Sequence, residues 1–362
     1  MKIINVVGAR PNFMKIAPIM EAYKPYPAIQ PLLVHTGQHY DEKMSNLIFR
    51  DLGIPEPDMN LGVGGGSHAV NTAETMKAFE QVCLSEKPDA VLVVGDVNST
   101  IACGLVAVKL GAKLIHVEAG LRSFDRGMPE EINRLLTDAI SDYLFCSEPS
   151  GVENLKREGV ADEKIFLIGN VMIDTLLKNL KKAQENRILE ELGVEENRYA
   201  ALTLHRPSNV DDPAVFERIV DALEVIQRDM PIIFPVHPRT RKNFEGTPLG
   251  ERLRAMTNII LIEPVGYLEF LKCMASARIV LTDSGGIQEE TTILHVPCLT
   301  LRENTERPVT VTEGTNQVVG MDTRVILEAY ARVMRGEFQV RTPPLWDGHA
   351  AERIVKILAE KF

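Results

Sequence analysis

Three acidic residues stand where a substrate proton can be taken or given. Asp96 follows the apolar run Ala90 to Val94, Glu118 follows Lys113 to Val117, and Glu130 opens a helix behind Pro129. Carboxylates held close together raise one another's pKa, which lets a site hold both an acid and a base near neutral pH. Each also has an ordinary use: Asp96 can cap the next helix, and Glu130 or Glu131 can serve the positive end of a helix dipole. Cations follow other strands. Arg10 and Lys15 flank the turn Gly8-Ala9-Arg10-Pro11, where Pro11 suits a first helical turn and a phosphate can sit at the helix start. His205 and Arg206 follow Leu202-Thr203-Leu204, where a histidine can bind an anion or cap a helix.

The fullest binding signal is Thr282-Asp283-Ser284-Gly285-Gly286-Ile287-Gln288-Glu289-Glu290, a strand running through small residues into a helix. Backbone N–H groups of Ser284, Gly285 and Gly286 are expected to face outward there as a diphosphate cradle. Glu290, about one turn on, is placed to accept the hydroxyls of a ribose.

Other chemistries lack their residues. There is no HExxH spacing and no cysteine cluster, so no metal is expected, and GxSxG is absent. The net charge of −10 argues against nucleic acid as a partner. No apolar run approaches the ~18 to 20 residues that span a bilayer. The apolar start Ile3 to Val7 is too short for a signal peptide and reads as a buried strand. Five cysteines without a CxxC pair fit a reducing compartment, so a cytoplasmic location is expected.

These residues need a frame. Short β-rich runs alternate with amphipathic stretches, the rhythm of βα units and parallel sheets. Strands are expected at Ile3 to Val7, Pro31 to Thr36, Ala90 to Val94, Lys113 to Val117, Tyr143 to Cys146 and Ile165 to Ile168. The pattern restarts near Ala200 to Leu204, Ile232 to Val236, Ile259 to Ile262, Ile279 to Thr282 and Cys298 to Leu301. At 362 residues the chain suits two cores. The glycine-rich run from Gly62 to Gly66 is expected as a loop before a helix starting near Ser67. The last helix is expected to carry an apolar stripe of Ile354, Ile357 and Leu358.

Taken together, Gly8-Ala9-Arg10-Pro11, Thr36-Gly37-Gln38-His39, Gly95-Asp96, His116-Val117-Glu118-Ala119-Gly120-Leu121-Arg122, Pro129-Glu130-Glu131-Ile132-Asn133-Arg134, His205-Arg206, Asp283 to Glu290 and Thr305-Glu306-Arg307-Pro308 resemble the non-hydrolysing UDP-N-acetylglucosamine 2-epimerase family. The resemblance covers nearly the whole chain. It implies an α/β GT-B fold of two Rossmann-like doubly wound domains with a cleft between them. The divisions expected are 1–175, a linker region 176–197, 198–345, and a C-terminal helix 346–362 packing back on the first domain. It further implies an isomerase that interconverts UDP-GlcNAc and UDP-ManNAc without NAD, metal or other cofactor, by eliminating UDP to a 2-acetamidoglucal and adding it back.

By the same resemblance Asp96, Glu118, Glu130 and His205 belong to the catalytic set. Arg10, Lys15, Arg134, Arg206, Ser284, Gly285, Gly286, Glu290 and Arg307 belong to the UDP-sugar site, and the enzyme is a homodimer. Ser208 stands where the family often has glutamate, and Gly64-Gly65-Gly66-Ser67-His68 replaces an Arg-Gln-Thr segment of an allosteric site, so substrate activation is not expected. The alternatives are a 2-epimerase of a related UDP-2-acetamido sugar, such as a diacetamido uronate, or a GT-B UDP-sugar glycosyltransferase.

Overall fold

The computed structural model describes residues 1–8, 10–37 and 56–362. Ala9, Gln38, His39 and the side chain of Arg10 lie outside the described residues. The chain forms two compact units, Met1–Lys178 with Pro344–Phe362, and Asn179–Pro343.

The first unit is built on β1 (Lys2–Val7), β2 (Gln30–His35), β3 (Met59–Asn60), β4 (Ala90–Val94), β5 (Lys113–Val117), β6 (Tyr143–Cys146) and β7 (Ile165–Leu167). Their order is β3-β2-β1-β4-β5-β6-β7, with every pair parallel. A central parallel strand must be apolar on both faces, and β4, Ala-Val-Leu-Val-Val, is buried throughout. The order reverses where β1 meets β4. In such sheets that switch point opens a crevice at the carboxyl ends of the strands.

The second unit repeats the plan with β8 (Ala200–Thr203), β9 (Ile232–Pro235), β10 (Ile259–Ile262), β11 (Ile279–Thr282), β12 (Cys298–Thr300) and β13 (Asn316–Val318). Its parallel order is β10-β9-β8-β11-β12-β13, so its reversal lies between β8 and β11. Ile219, Leu223 and Ile226 of the helix Pro213–Asp229 share a core with Ile232, Phe234, Ile279 and Leu281 of the sheet.

The apolar runs read from the sequence coincide with strands to within one or two residues. The edge strands β3 and β13 carry no such run: Met59-Asn60 and Asn316-Gln317-Val318 are short and largely polar. Residues 176–197 contain the end of the helix Val171–Gln184 and all of the helix Ile188–Leu192. Ile188 and Leu189 there are buried.

The C-terminal helix Ala350–Lys361 lies against the helix Arg10–Ala22. Its buried stripe is Ala350, Ala351, Ile354, Val355 and Leu358. Val355 takes the place expected for Ile357, because 3.6 residues per turn align 351, 354, 355 and 358. The approach to this helix is pinned at two points. Trp346 Nε1 donates to the Ser147 carbonyl at 2.9 Å, and the Asp174 carboxylate accepts from Ala350 N and Ala351 N at 3.2 and 2.7 Å. Ahead of the helix His68–Glu86, Ser67 acts as N-cap, its side chain accepting from Val70 N at 3.3 Å.

Candidate active site

At the carboxyl ends of β4 and β5, two carboxylates each meet a cation. Gly95 turns the chain with φ +72°, a left-handed conformation that suits glycine. Asp96 follows, its side chain 30% exposed and ion-paired with the Arg134 guanidinium. Buried Arg134 is gripped from behind by Glu131 Oε2, at 3.0 Å from Nε and 2.7 Å from the terminal nitrogen. Glu131 also accepts the backbone N–H groups of Ser123 and Phe124, at 2.9 Å each. Burial pushes its carboxyl up, but these donors and Arg134 outweigh burial and hold it below the usual range. Asn133 Nδ2 donates to the Asp96 carbonyl at 2.8 Å and fixes the loop itself.

Glu118 is left-handed at φ +71°, a conformation that costs a non-glycine residue about 1 to 3 kcal/mol and collects at functional sites. Its buried carboxylate is ion-paired with Lys15 of the helix Arg10–Ala22. A Cβ on Gly95 would lie 3.5 Å from both Lys15 Nζ and Glu118 Oε2, so the pair sits directly against the loop that carries Asp96. Beneath them His116 Nε2 lies 2.9 Å from the Gly95 carbonyl and Nδ1 lies 2.6 Å from Asp138. Asp138 also accepts from Gly120 N at 3.0 Å and pairs with Arg122 at 2.7 Å. Burial opposes its charge, yet His116 and Arg122 hold its carboxyl below the usual range. One buried histidine thus ties the loop after β4 to the loop after β5.

Two expectations change. The carboxylates were expected to act on one another as a like-charge cluster; Lys15 and Arg134 stand beside them instead, and Lys15 faces Glu118 rather than an empty phosphate site. Glu130 and Glu131 also separate. Glu131 is the buried brace of Arg134, whereas Glu130 is half-buried in the first turn of the helix Pro129–Ile140.

In the second unit the helix Gly285–Leu294 starts directly after β11, and its N-cap Ser284 makes no side-chain capping bond. The Ser284 N–H does not point outward as expected: it donates to Thr282 Oγ1 at 3.0 Å, because the threonine closing β11 folds back over the turn. That leaves the first-turn amides from Gly285 onward for the expected cradle. A side chain at 285 would meet Glu306 Oε1 at 2.7 Å, which explains the glycine. Behind the cradle, Glu306 lies 2.7 Å from Arg302 and 3.5 Å from Arg206; burial pushes its carboxyl up, but Arg302, Arg307 and Arg206 hold it well below the usual range. Arg307 is buried, with Nε 2.6 Å from Glu289.

Glu290 lies buried one turn into the same helix and accepts from the Tyr267 hydroxyl at 3.0 Å. Burial pushes its pKa up to about 7, helped by Glu289 and opposed by the Tyr267 hydrogen bond. His205, 40% exposed, has Nδ1 2.9 Å from Asp283 Oδ1, and Arg206 Nε donates to the Asp283 carbonyl at 3.0 Å. Asp283 and His116 stand in motifs named from the sequence but were given no role of their own, and Tyr267 and Asp138 were not singled out. Asp283 had a usable signal, since it follows a strand at a switch point just as Asp96 does. Among the described residues no group of three or more His, Cys, Asp or Glu is arranged to hold a metal ion.

A family model for UDP-N-acetylglucosamine 2-epimerase matches residues 21–359. The chain is 45% identical to a UDP-N-acetylglucosamine 2-epimerase of Methanocaldococcus jannaschii, over 99% of each chain. It is 41% identical to a UDP-2,3-diacetamido-2,3-dideoxy-D-glucuronate 2-epimerase of Pseudomonas aeruginosa, over 99% of this chain and 100% of that one. The solved structure of the Methanocaldococcus jannaschii UDP-GlcNAc 2-epimerase in complex with UDP-GlcNAc and UDP superposes with a TM-score of 0.91, at 44% identity, covering 99% of this chain and 100% of that one. The fold is accordingly GT-B-like, with two Rossmann-like domains.

Proposed function

Since the chain belongs to the UDP-N-acetylglucosamine 2-epimerase family and is an epimerase of nucleotide sugars, we propose that it interconverts UDP-GlcNAc and UDP-ManNAc by eliminating and re-adding UDP. The C2 proton of a sugar is too weakly acidic for simple removal and return. Departure of UDP from C1 with its bonding electrons, together with loss of the C2 proton to a base, leaves a 2-acetamidoglucal with a C1–C2 double bond. Delivery of a proton to the opposite face of C2 and return of UDP to C1 complete the inversion.

The observation that carries this reading is the pair of post-strand carboxylates, Asp96 and Glu118, each set against a cation. Asp96 and Glu118, with Glu130 beside them in sequence order, handle the C2 proton and the positive charge that develops on the sugar. Lys15 and Arg134 keep the two acids placed, and in the second unit His205 meets the departing diphosphate. Gly285 and Gly286 offer it backbone amides, while Glu290 takes the ribose hydroxyls. The glucal must be kept from water, because its escape ends the cycle. The described cysteines are all free and buried, which suits a reducing, cytoplasmic setting.

Incubation with UDP-GlcNAc in D2O is expected to give UDP-ManNAc with deuterium at C2 of both sugars. Absence of both exchange and product removes UDP-GlcNAc as substrate. The likeness to the Pseudomonas aeruginosa diacetamido-glucuronate epimerase favours a second reading, in which the substrate is a UDP-2,3-diacetamido uronate. The same assay with that sugar alongside decides between them by the ratio of kcat/KM.

A further inference from the structure

Asp283 closes β11 and is fully buried, at 0% exposure. Its Oδ2 accepts the backbone N–H groups of His205 and Arg206, at 2.9 Å each, and its Oδ1 lies 2.9 Å from His205 Nδ1. We propose that Asp283 is a positioning residue for His205, holding the proton on Nδ1 and turning the ring so that a proton on Nε2 is donated to the departing diphosphate. The inference deepens the function proposed above and rests on it.

The geometry leaves the carboxylate little freedom. Two backbone donors hold Oδ2, so Oδ1 stays turned toward the ring, and an imidazole nitrogen facing a carboxylate oxygen carries the proton. Burial opposes the charge of Asp283, but His205 and the two backbone donors hold its carboxyl below the usual range. Among the described residues, the other charged groups near the ring include Arg206 on the same loop, with Glu306 behind it, and His237 after β9, its ring centroid 5.7 Å from that of His205. His237 is held below its usual value by burial first, then by His205, with Arg239 acting the same way and Asp283 opposing. Among the described residues, Asp283 is thus the anion in direct contact with the His205 ring.

Asp283→Asn tests this with little change of shape. The two backbone N–H groups require an acceptor, so the amide oxygen faces them and its NH2 faces His205 Nδ1. That nitrogen must then accept, which leaves the ring neutral. Nitrogen-15 NMR of histidine-labelled protein at neutral pH reads the change, with the His205 signal assigned by its loss in His205→Gln. Nδ1 is expected to carry a proton in the original chain and to be an unprotonated acceptor in Asp283→Asn.

By calorimetry, UDP is expected to bind Asp283→Asn about tenfold more weakly, the loss of a charge-assisted bond. The same change made on His205→Gln should cost little more, since both act through one ring. A proton retained on Nδ1 in Asp283→Asn overturns the proposal, and so do additive losses in the double variant. Should His205→Gln bind UDP and turn over as the original does, the role given to His205 in the proposed function fails instead, while the Nδ1 signal still decides whether Asp283 governs the ring.

Discussion

Asp96 and Asp283 hold matching places in two sheets of the same order, each just beyond the strand that pairs with its unit's first strand across the switch point. Their surroundings are opposite. Asp96 is 30% exposed and faces a guanidinium, whereas Asp283 is fully buried and spent on two backbone amides and an imidazole. The topology thus supplies the place after the strand, and the donors that fill it decide the use. Where backbone N–H groups take the carboxylate, the acid becomes a support; where a guanidinium takes one edge of it, as at Asp96, the acid stays partly exposed.

The sharpest way to break this contrast is to neutralise the acids. Asp96→Asn and Glu118→Gln are each expected to lower kcat about 10³-fold, the range of lost general acid–base catalysis, with UDP affinity in calorimetry unchanged. Asp283→Asn should do the reverse, weakening UDP about tenfold and touching kcat less. An active Asp96→Asn enzyme would remove Asp96 from the catalytic set and erase the distinction.

Much of the frame was legible in the sequence, because central parallel strands must be apolar on both faces and turn residues follow them at the site. The edge strands β3 and β13 were not, since two or three mostly polar residues paired on one side carry no such signature. Nor were the partners. That Asp283 serves residues 77 and 78 positions away depends on β8 lying next to β11, a fact of topology rather than of local pattern. Glu130 and Glu131 look interchangeable along the chain; only the position of the Ser123 and Phe124 amides marks Glu131 as the brace. Thr282 took the Ser284 amide in the same way, through a side chain that reads as ordinary strand.

A smaller effect comes from Glu290, the buried acid proposed to take the ribose hydroxyls. Its pKa of about 7 means that the free protein holds it largely protonated below that pH. If ribose hydroxyls donate to it, UDP selects the ionised form and binding releases a proton. Affinity therefore rises with pH up to about 7 and then levels, and UDP should bind about tenfold more weakly at pH 6 than at pH 8. Calorimetry with Glu290→Gln, which cannot titrate, supplies the baseline set by UDP's own ionisation. A slope equal to that baseline in the original chain would separate Glu290 from the nucleotide.

The smallest change is expected where neither acid is touched. Trp346→Phe removes the indole bond to Ser147 and should cost about 1 kcal/mol, a few degrees in Tm, with kcat/KM kept. A large loss of turnover there would show that the C-terminal segment does more than hold the first unit together.

The central claim is that UDP leaves the sugar and returns. It is tested most directly by UDP-GlcNAc carrying oxygen-18 in the bridge between C1 and the β-phosphorus. Cleavage of the carbon–oxygen bond frees that oxygen to become one of the equivalent β-phosphate oxygens, so substrate recovered at equilibrium should show the label spread from bridging to non-bridging positions. Epimerisation with the label still wholly in the bridge would contradict elimination and leave the carboxylates to act on an intact nucleotide sugar.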